Sequence, residues 1–391
     1  MRIAIIGAGM GGLAAASLLA DDGHDITLFD QFDTPKPVGS GLVIQPVGQQ
    51  VLAEIGALDR AGALGNPVTH MIGIEANTGG RVLDVKYDLR DPNAYGLAIH
   101  RAALFDALWQ AMQTRSNISL QTASQITSVR QDDECVEVFT STNNIHGPFD
   151  LVVDAAGVGS PLSPIKSKSL SYGAIWGTVD WPTTDIPVHQ LSQRYVAASR
   201  MIGVMPSGQM PDSPTPKAAL FWSLPVNSYE SWKTAGLAAW KSEAIALWPE
   251  LVPFVDQITD PDQMTMARYS HGTLNRPYNN RLVHIGDAAH RASPQLGQGA
   301  NMALLDASAL AKALKARTLK QALPAYARAR RLHTNIYQAM SWGFTPMYQS
   351  DSTLLPLIRD KLLFPISQTP PVQHMLTSIV CGNMIRPTGR L

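Results

Sequence analysis

RIAIIGAGMGGLAAASLLADDGHDITLFD, Arg2 to Asp30, is the stretch that decides the fold. Arg2 to Ile6 is a short apolar run, as a fully buried parallel strand requires. Gly7-Ala8-Gly9-Met10-Gly11-Gly12 follows, then an alanine- and leucine-rich segment to Ala20 that reads as helix. In this setting Gly7 allows a tight turn, Gly9 lets a pyrophosphate approach the backbone, and Gly12 lets helix and strand pack closely. Gly23 ends the helix, Asp25 to Phe29 forms a second strand, and Asp30 stands at its end, 18 residues after Gly12. A carboxylate there can accept hydrogen bonds from the hydroxyls of an adenosine ribose. The bland reading is a tight βα turn with an incidental aspartate. Strand, glycines, helix and acid in register favour dinucleotide binding, without separating nicotinamide from flavin cofactors.

A second stretch makes that separation. RLVHIGDAAHRASPQLGQGANMALLDASALAKA, Arg281 to Ala313, reads as strand, loop and long helix. Gly286-Asp287 places a carboxylate just past the carboxyl end of a strand, where open α/β sheets bind ligands. Pro294 stiffens the loop. Gly297-Gln298-Gly299 strips side chains from the backbone before Ala300, Asn301 and the helix, whose free N–H groups favour a negative ligand atom. A nicotinamide dehydrogenase needs no such element about 250 residues beyond its fingerprint.

Between the two, Pro35-Lys36-Pro37 and Gly39-Ser40-Gly41 read as loop, and Val47 to Leu58 as helix. Thr69 to Glu75 and Arg81 to Val85 read as strands around Asn77-Thr78-Gly79-Gly80. Arg101 opens the helix Ala102 to Met112. A cation there opposes the helix dipole, so a nearby anion is expected: a cofactor phosphate or a salt-bridge partner. From Ser169 to about His271 the composition shifts to β-rich segments with Trp176, Trp181, Trp222, Trp232, Trp240 and Trp248, and Ser228 to Leu247 reads as helix. These indoles could wall an apolar pocket or fill a core. After Leu319 the chain reads as helical, with Arg328, Arg330 and Arg331 expected on a solvated face.

Composition bounds the rest. The 391 residues are 45% hydrophobic and 16% charged, enough for a large core, and the length suggests two domains or three. We expect a dinucleotide-binding domain from 1–67, 97–163 and 273–330, a second domain from 68–96 and 164–272, and a helical region over 331–391. The fold class is α/β: a Rossmann-like domain with an inserted α+β domain built on a mixed sheet. Lys+Arg and Asp+Glu both number 31, which argues against nucleic acid or an anionic membrane as partner. Cys135 and Cys381 have no metal spacing and make no disulfide framework, so no metal and a reducing cytoplasm are expected. With a binding motif starting at Arg2, no cleavable leader is expected.

Gly7-x-Gly9-x-x-Gly12, Arg101 and Gly286-Asp287…Pro294…Gly297-Gln298-Gly299-Ala300-Asn301 together resemble the para-hydroxybenzoate hydroxylase family of FAD-dependent aromatic monooxygenases. The resemblance runs in order from Met1 to about Met340 and is weakest across the second domain. It implies FAD as cofactor. Gly7, Gly9, Gly12 and Asp30 would hold the adenosine diphosphate half, Arg101 would lie near the phosphates and ribityl chain, and Asp287 would bind the ribityl hydroxyls. Pro294, Gly297, Gln298, Gly299, Ala300 and Asn301 would border the flavin ring. The implied reaction is hydroxylation of a small phenol-like or heteroaromatic substrate with dioxygen through a flavin C4a-hydroperoxide, the flavin moving between exposed and enclosed positions.

One departure concerns the reductant. The family's usual Asp-Gly pair is Ala156-Gly157 here, and Ser163 stands where an arginine is usual. Asp154 lies on the same strand face but about 7 Å back. NADH or NADPH, or reduced flavin from a separate reductase, are the candidate donors; a homodimer is a further expectation. His271, Tyr269 and Arg200 are the candidates for orienting or deprotonating a phenol, while His290 reads as structural. On the residues alone, a flavin dehydrogenase, oxidase or reductase and a non-catalytic flavin-bound regulator stay open.

Overall fold

The computed structural model describes residues 1–34 and 39–389; the Pro35-Lys36-Pro37 loop lies outside the described residues. Its organising layer is a six-stranded sheet ordered Tyr278–Asn279, Leu282–His284, Leu151–Asp154, Arg2–Ile6, Asp25–Phe29 and Ile118–Gln121. All neighbours run parallel except the Tyr278–Asn279 edge strand. Ile3, Ile5 and Val153 are wholly buried, as continuous apolar runs demand when both sheet faces are covered. Strand order reverses at Arg2–Ile6, which lies between its sequence successor and Leu151–Asp154. A doubly wound sheet opens a ligand crevice at such a point.

Helix Met10–Asp21 packs on this sheet beside Gly299–Ala316, both rich in alanine and leucine. Small residues set the spacing: a Cβ on Gly11 or on Gly286 would lie 3.3 Å or 3.1 Å from the Ala303 Cβ. Ala303 thus brings the two glycine-bearing loops to one place.

The second layer is an eight-stranded mixed sheet ordered His290–Arg291, Thr265–Thr273, Lys168–Asp180, Lys217–Pro225, Arg200–Pro206, Gln190–Val196, His70–Glu75 and Arg81–Lys86. Its faces differ. One packs Ile175, Ile202, Val204, Leu220 and Trp222 against the helical segment 229–258. Five tryptophans lie on or against that core: Trp222, Trp240 and Trp248 inside it, Trp181 and Trp232 at its margin. Trp176 is on the opposite face, with Met201, Met205, Phe221 and Tyr195. That face meets the first layer: His100 N–H donates to the Ser207 carbonyl at 2.8 Å and Gln209 N–H to that of Leu64 at 2.7 Å. Two short antiparallel sheets complete the fold: Gly41–Ile44, Gly96–His100 and Asn66–Val68; and Ile145–Phe149, Val136–Thr140 and Ile126–Gln131.

Two expected helices are each divided. Val47 to Leu58 resolves into Pro46–Ile55 and Leu58–Leu64, parted at Gly56, and Ser228 to Leu247 into Tyr229–Ala235 and Leu237–Leu247, parted at Gly236. The tail begins with the 30-residue helix Leu319–Tyr348. Its Arg330 is not solvated: it is 3% exposed. Among the described residues no helix is long and apolar enough to cross a membrane.

Candidate functional site

The fingerprint turn is built as its glycines dictate. A Cβ on Gly12 would sit 1.8 Å from the Gly7 carbonyl oxygen, so no other residue fits. A Cβ on Gly9 would meet nothing within 4 Å, so the backbone there is open to a ligand. The helix it caps has no side-chain cap, which leaves its first N–H groups to an anion. The Asp30 carboxylate is held beside this turn, accepting from Ala8 N–H at 2.8 Å and Phe32 N–H at 2.9 Å.

Asp287 follows strand Leu282–His284 in a short 3₁₀ turn. The residue is exposed to solvent, with protein packed around the carboxyl. Burial raises its pKa, against the opposing pull of His290, Arg101 and Arg291. Arg101 is the complementary group. Burial lowers its pKa, and the charges of Asp287 and Tyr269 oppose that. Its guanidinium makes no hydrogen bond among the described residues. Asp287 acts on this helix-opening cation by charge, and the two form no ion pair or hydrogen bond among the described residues.

Beneath the Gly-Asp turn lies a buried network that sequence reasoning missed. Asp306, wholly buried on helix Gly299–Ala316, accepts from Gly286 N–H at 2.9 Å, pairs with His290 Nε2 at 2.6 Å and accepts from Arg330 Nε at 2.7 Å. Burial alone would raise its pKa, but His290 and Arg330, by charge and hydrogen bond, hold it well below the usual carboxylate range. His333 extends the network to the Gly382 carbonyl at 2.9 Å. Arg330 was expected on a solvated face and is instead the cation of this cluster. The available signal was Asp306 itself, the lone carboxylate of helix Gly299–Ala316, set among Leu304, Leu305 and Ala307.

Other loop residues are fixed from behind. Ser293, before Pro294, shares hydrogen bonds with Ser341 at 2.9 Å and Thr345 at 2.5 Å. Gly297 adopts φ +60°, a left-handed conformation that turns the chain into the helix. Gln298 turns its side chain away from the cleft, donating to the Val380 carbonyl at 2.8 Å. Asn301 is a latch: its Oδ1 accepts from Gln45 N–H at 2.8 Å and its Nδ2 donates to the Val43 and Gly297 carbonyls. Gln298 and Asn301 thus serve the loop through internal bonds, and Gly297 is bonded to Pro294 and Asn301, while helix Gly299–Ala316 starts without a side-chain cap.

On the sheet face that meets these loops, Tyr269 Oη accepts from Trp176 Nε1 at 2.9 Å. Burial raises the Tyr269 pKa to about 12, partly offset by the Trp176 bond and by Arg101. His271, two residues along on the same face, has Nε2 3.4 Å from Ser341 Oγ and a buried Nδ1 without a partner. Burial lowers its pKa. Arg200 is not brought to them. It lies on the other face, 2.9 Å from Glu243 and 5.0 Å above the Trp222 ring. Strand alternation put it there, and that alternation is legible only once the buried face is known.

A family model described as FAD binding domain matches residues 1–336 of this chain. The chain belongs to that FAD-binding family. It is 27% identical over 338 residues to a 3-amino-4-hydroxybenzoate 2-monooxygenase of Streptomyces cremeus, covering 81% of this chain and 79% of the relative. It is 25% identical over 400 residues to a 6-methylpretetramide 4-monooxygenase of Streptomyces rimosus, covering 97% and 92%. Klebsiella pneumoniae HpxO complexed with FAD and uric acid shares the fold, with TM-score 0.84, 20% identity and 98% coverage of each chain. The protein is an FAD-dependent monooxygenase of the aromatic-hydroxylase type.

The flavoprotein's own residues fit the cofactor: an open glycine turn for phosphates, a carboxylate fixed beside it, and an arginine and an aspartate converging on a cleft. The nicotinamide-linked element fits less well. Asp154 is wholly buried and spends its carboxylate internally, on Ser160 Oγ at 2.6 Å, His284 Nδ1 at 2.7 Å and Ala156 N–H at 3.1 Å. Ser163, in the place of the usual arginine, donates to the Ala288 carbonyl at 2.5 Å. Neither replaces the missing groups.

Proposed function

We propose that this flavoprotein hydroxylates a small aromatic substrate held between the Trp176–Tyr269 face of the large sheet and the loop Gly286–Asn301. The observation that carries the reading is convergence: two loops meeting at Ala303, with Arg101 and Asp287 in the cleft and an aromatic sheet face opposite. In this reading the FAD domain comprises 1–67, 97–163 and 273–330, and the substrate domain 68–96 and 164–272. Gly7, Gly9, Gly12 and Asp30 hold the adenosine diphosphate half. Arg101 answers the phosphates, and Asp287 accepts from ribityl hydroxyls. The backbone at Gly297, Gly299 and Ala300, with Pro294, borders the ring. When bound, the flavin supplies the activation of dioxygen.

The protein's part is placement and exclusion of water. The start of helix Gly299–Ala316 presents free N–H groups that stabilise negative charge. Tyr269 stays protonated and donates a hydrogen bond; His271, kept neutral by burial, can take up a proton from a phenol. The relatives' names are those of monooxygenases, so a dehydrogenase, reductase or regulator reading is not carried forward. We place the enzyme in the cytoplasm as a homodimer, its two cysteines free. The test is mass spectrometry of products formed under labelled dioxygen with a panel of phenols and heteroaromatics. Incorporation of one labelled oxygen is expected; none with any member would overturn the reading.

A second reading concerns the electron donor. With Asp154 internally committed and Ser163 bonded to Ala288, we infer that reduced flavin from a separate reductase is the better donor than NADH or NADPH. Stopped-flow mixing decides it: slow bleaching of the bound flavin by both nucleotides is expected, and fast reduction by either sinks the idea.

A further inference from the structure

The sheet face that meets the cofactor loops carries almost no charge. Its inward side chains include Trp176, Phe221, Met201, Met205 and Tyr195, with Trp176 and Phe221 stacked at 4.5 Å. Among the described residues, most cations near it are turned away or paired, although the Arg101 guanidinium has no hydrogen bond and Arg359 Nη2 is buried without a partner. Arg200 and Arg194 lie on the opposite face, over Trp222 and Trp248. Lys217, at the strand end, is bound to Asp180. Arg359 is sealed under Tyr195 and Tyr348 with Asp360 on its Nε and the Ala197 and Met347 carbonyls on its Nη1. Arg101 faces Asp287 and, on the reading above, the cofactor. His271 and His100 both have pKa values lowered first by burial, so neither is a cation near neutral pH.

Besides the unpartnered His271 Nδ1, what the described part of the face offers is the hydroxyl of Tyr269. Because Tyr269 Oη accepts from Trp176 Nε1, its own hydrogen points elsewhere, and no described residue accepts it. With Arg101 given to the cofactor, a carboxylate-bearing ring would leave water for this face with no described cation free to pair with it, which is costly for a buried ion. A neutral ring loses nothing comparable and gains stacking area on Trp176.

We propose that the substrate is an uncharged aromatic, free of any carboxylate, that rests on Trp176 and accepts a hydrogen bond from Tyr269 through a carbonyl or phenol oxygen. This rests on the hydroxylase reading and narrows it to one substrate class.

The test uses FAD-loaded enzyme and matched pairs, methyl 3-hydroxybenzoate against 3-hydroxybenzoate and 3-hydroxybenzamide against the same acid. Dissociation constants are read from the flavin absorbance change at pH 7.5. The neutral partner is expected to bind at least about tenfold tighter. An acid that binds as tightly as its ester overturns the proposal, and so does an ester that fails to bind at millimolar concentration. Tyr269→Phe should weaken the ester about tenfold and leave the acid, already weak, unchanged; equal ester affinity in the variant removes the Tyr269 contact. Labelled-oxygen incorporation separates the two levels. No label in any ring defeats the hydroxylase reading, whereas label entering the acid as efficiently as the ester defeats only the neutral-substrate proposal.

Discussion

The loop Gly286–Asn301 has a buried side and a cleft side, and they obey opposite rules. On the buried side the charged groups and hydroxyls are matched, though Gln295 Nε2 and Gln298 Oε1 are not: Asp306 with Gly286, His290 and Arg330, Ser293 with Ser341 and Thr345, Asn301 with Gln45 and Val43. On the cleft side Asp287 and Arg101 face each other by charge, with no hydrogen bond between them. Paired groups fix a conformation; groups left with unused donors and acceptors hold a ligand. The carboxylates show it most plainly. Asp306 is held well below the usual carboxylate range while burial raises the Asp287 pKa, although Asp287 directly follows Gly286, whose amide Asp306 binds.

Removing the buried partner is the strongest way to break this contrast. Asp306→Ala strands Arg330 and His290 in the interior, and should cost about 3–5 kcal/mol in urea unfolding. The pH dependence follows with a definite sign. Its folded pKa lies below the unfolded one, so its contribution is fully present above about pH 4 and declines as pH falls towards the folded value. A wild-type and Asp306→Ala pair whose stability difference stayed constant down to pH 2 would contradict this.

Next comes Gly12→Ala. Its Cβ would meet the Gly7 carbonyl at 1.8 Å, forcing strand and helix apart at about 1–3 kcal/mol. Loss of yellow colour on purification, with retained helical circular dichroism, is the expected signature.

Asp287→Asn should move stability the other way. A carboxyl whose folded pKa is raised adds stability below its unfolded pKa and loses it as pH rises, so its ionised form is a burden at neutral pH. The variant without FAD should therefore melt slightly higher than wild type, while its FAD affinity falls about tenfold through the lost charged acceptor. A lower Tm with unchanged FAD affinity would reverse the roles of the two aspartates. Arg200→Ala gives the smallest effect: its partly exposed contact with Glu243 is worth at most about 1 kcal/mol, and kcat should stay within about twofold. A collapse of turnover would place Arg200 in the chemistry after all.

Much of this protein was legible in the order of its residues, for a local reason. Gly7-x-Gly9-x-x-Gly12 with Asp30, and Gly286-Asp287 before a helix, are short-range patterns whose backbone demands do not depend on distant partners, so they announced the Rossmann-like sheet and its cofactor. Side-chain destinations were not local. Whether Trp176 joined five other indoles in a core, whether Arg200 faced the cleft, whether Gln298 touched a ligand or the Val380 carbonyl, and whether Arg330 met water or Asp306 all turned on which surface packed against which. Strand alternation and helix phase fix only relative sidedness; burial assigns the absolute side, and burial is a property of the assembled layers.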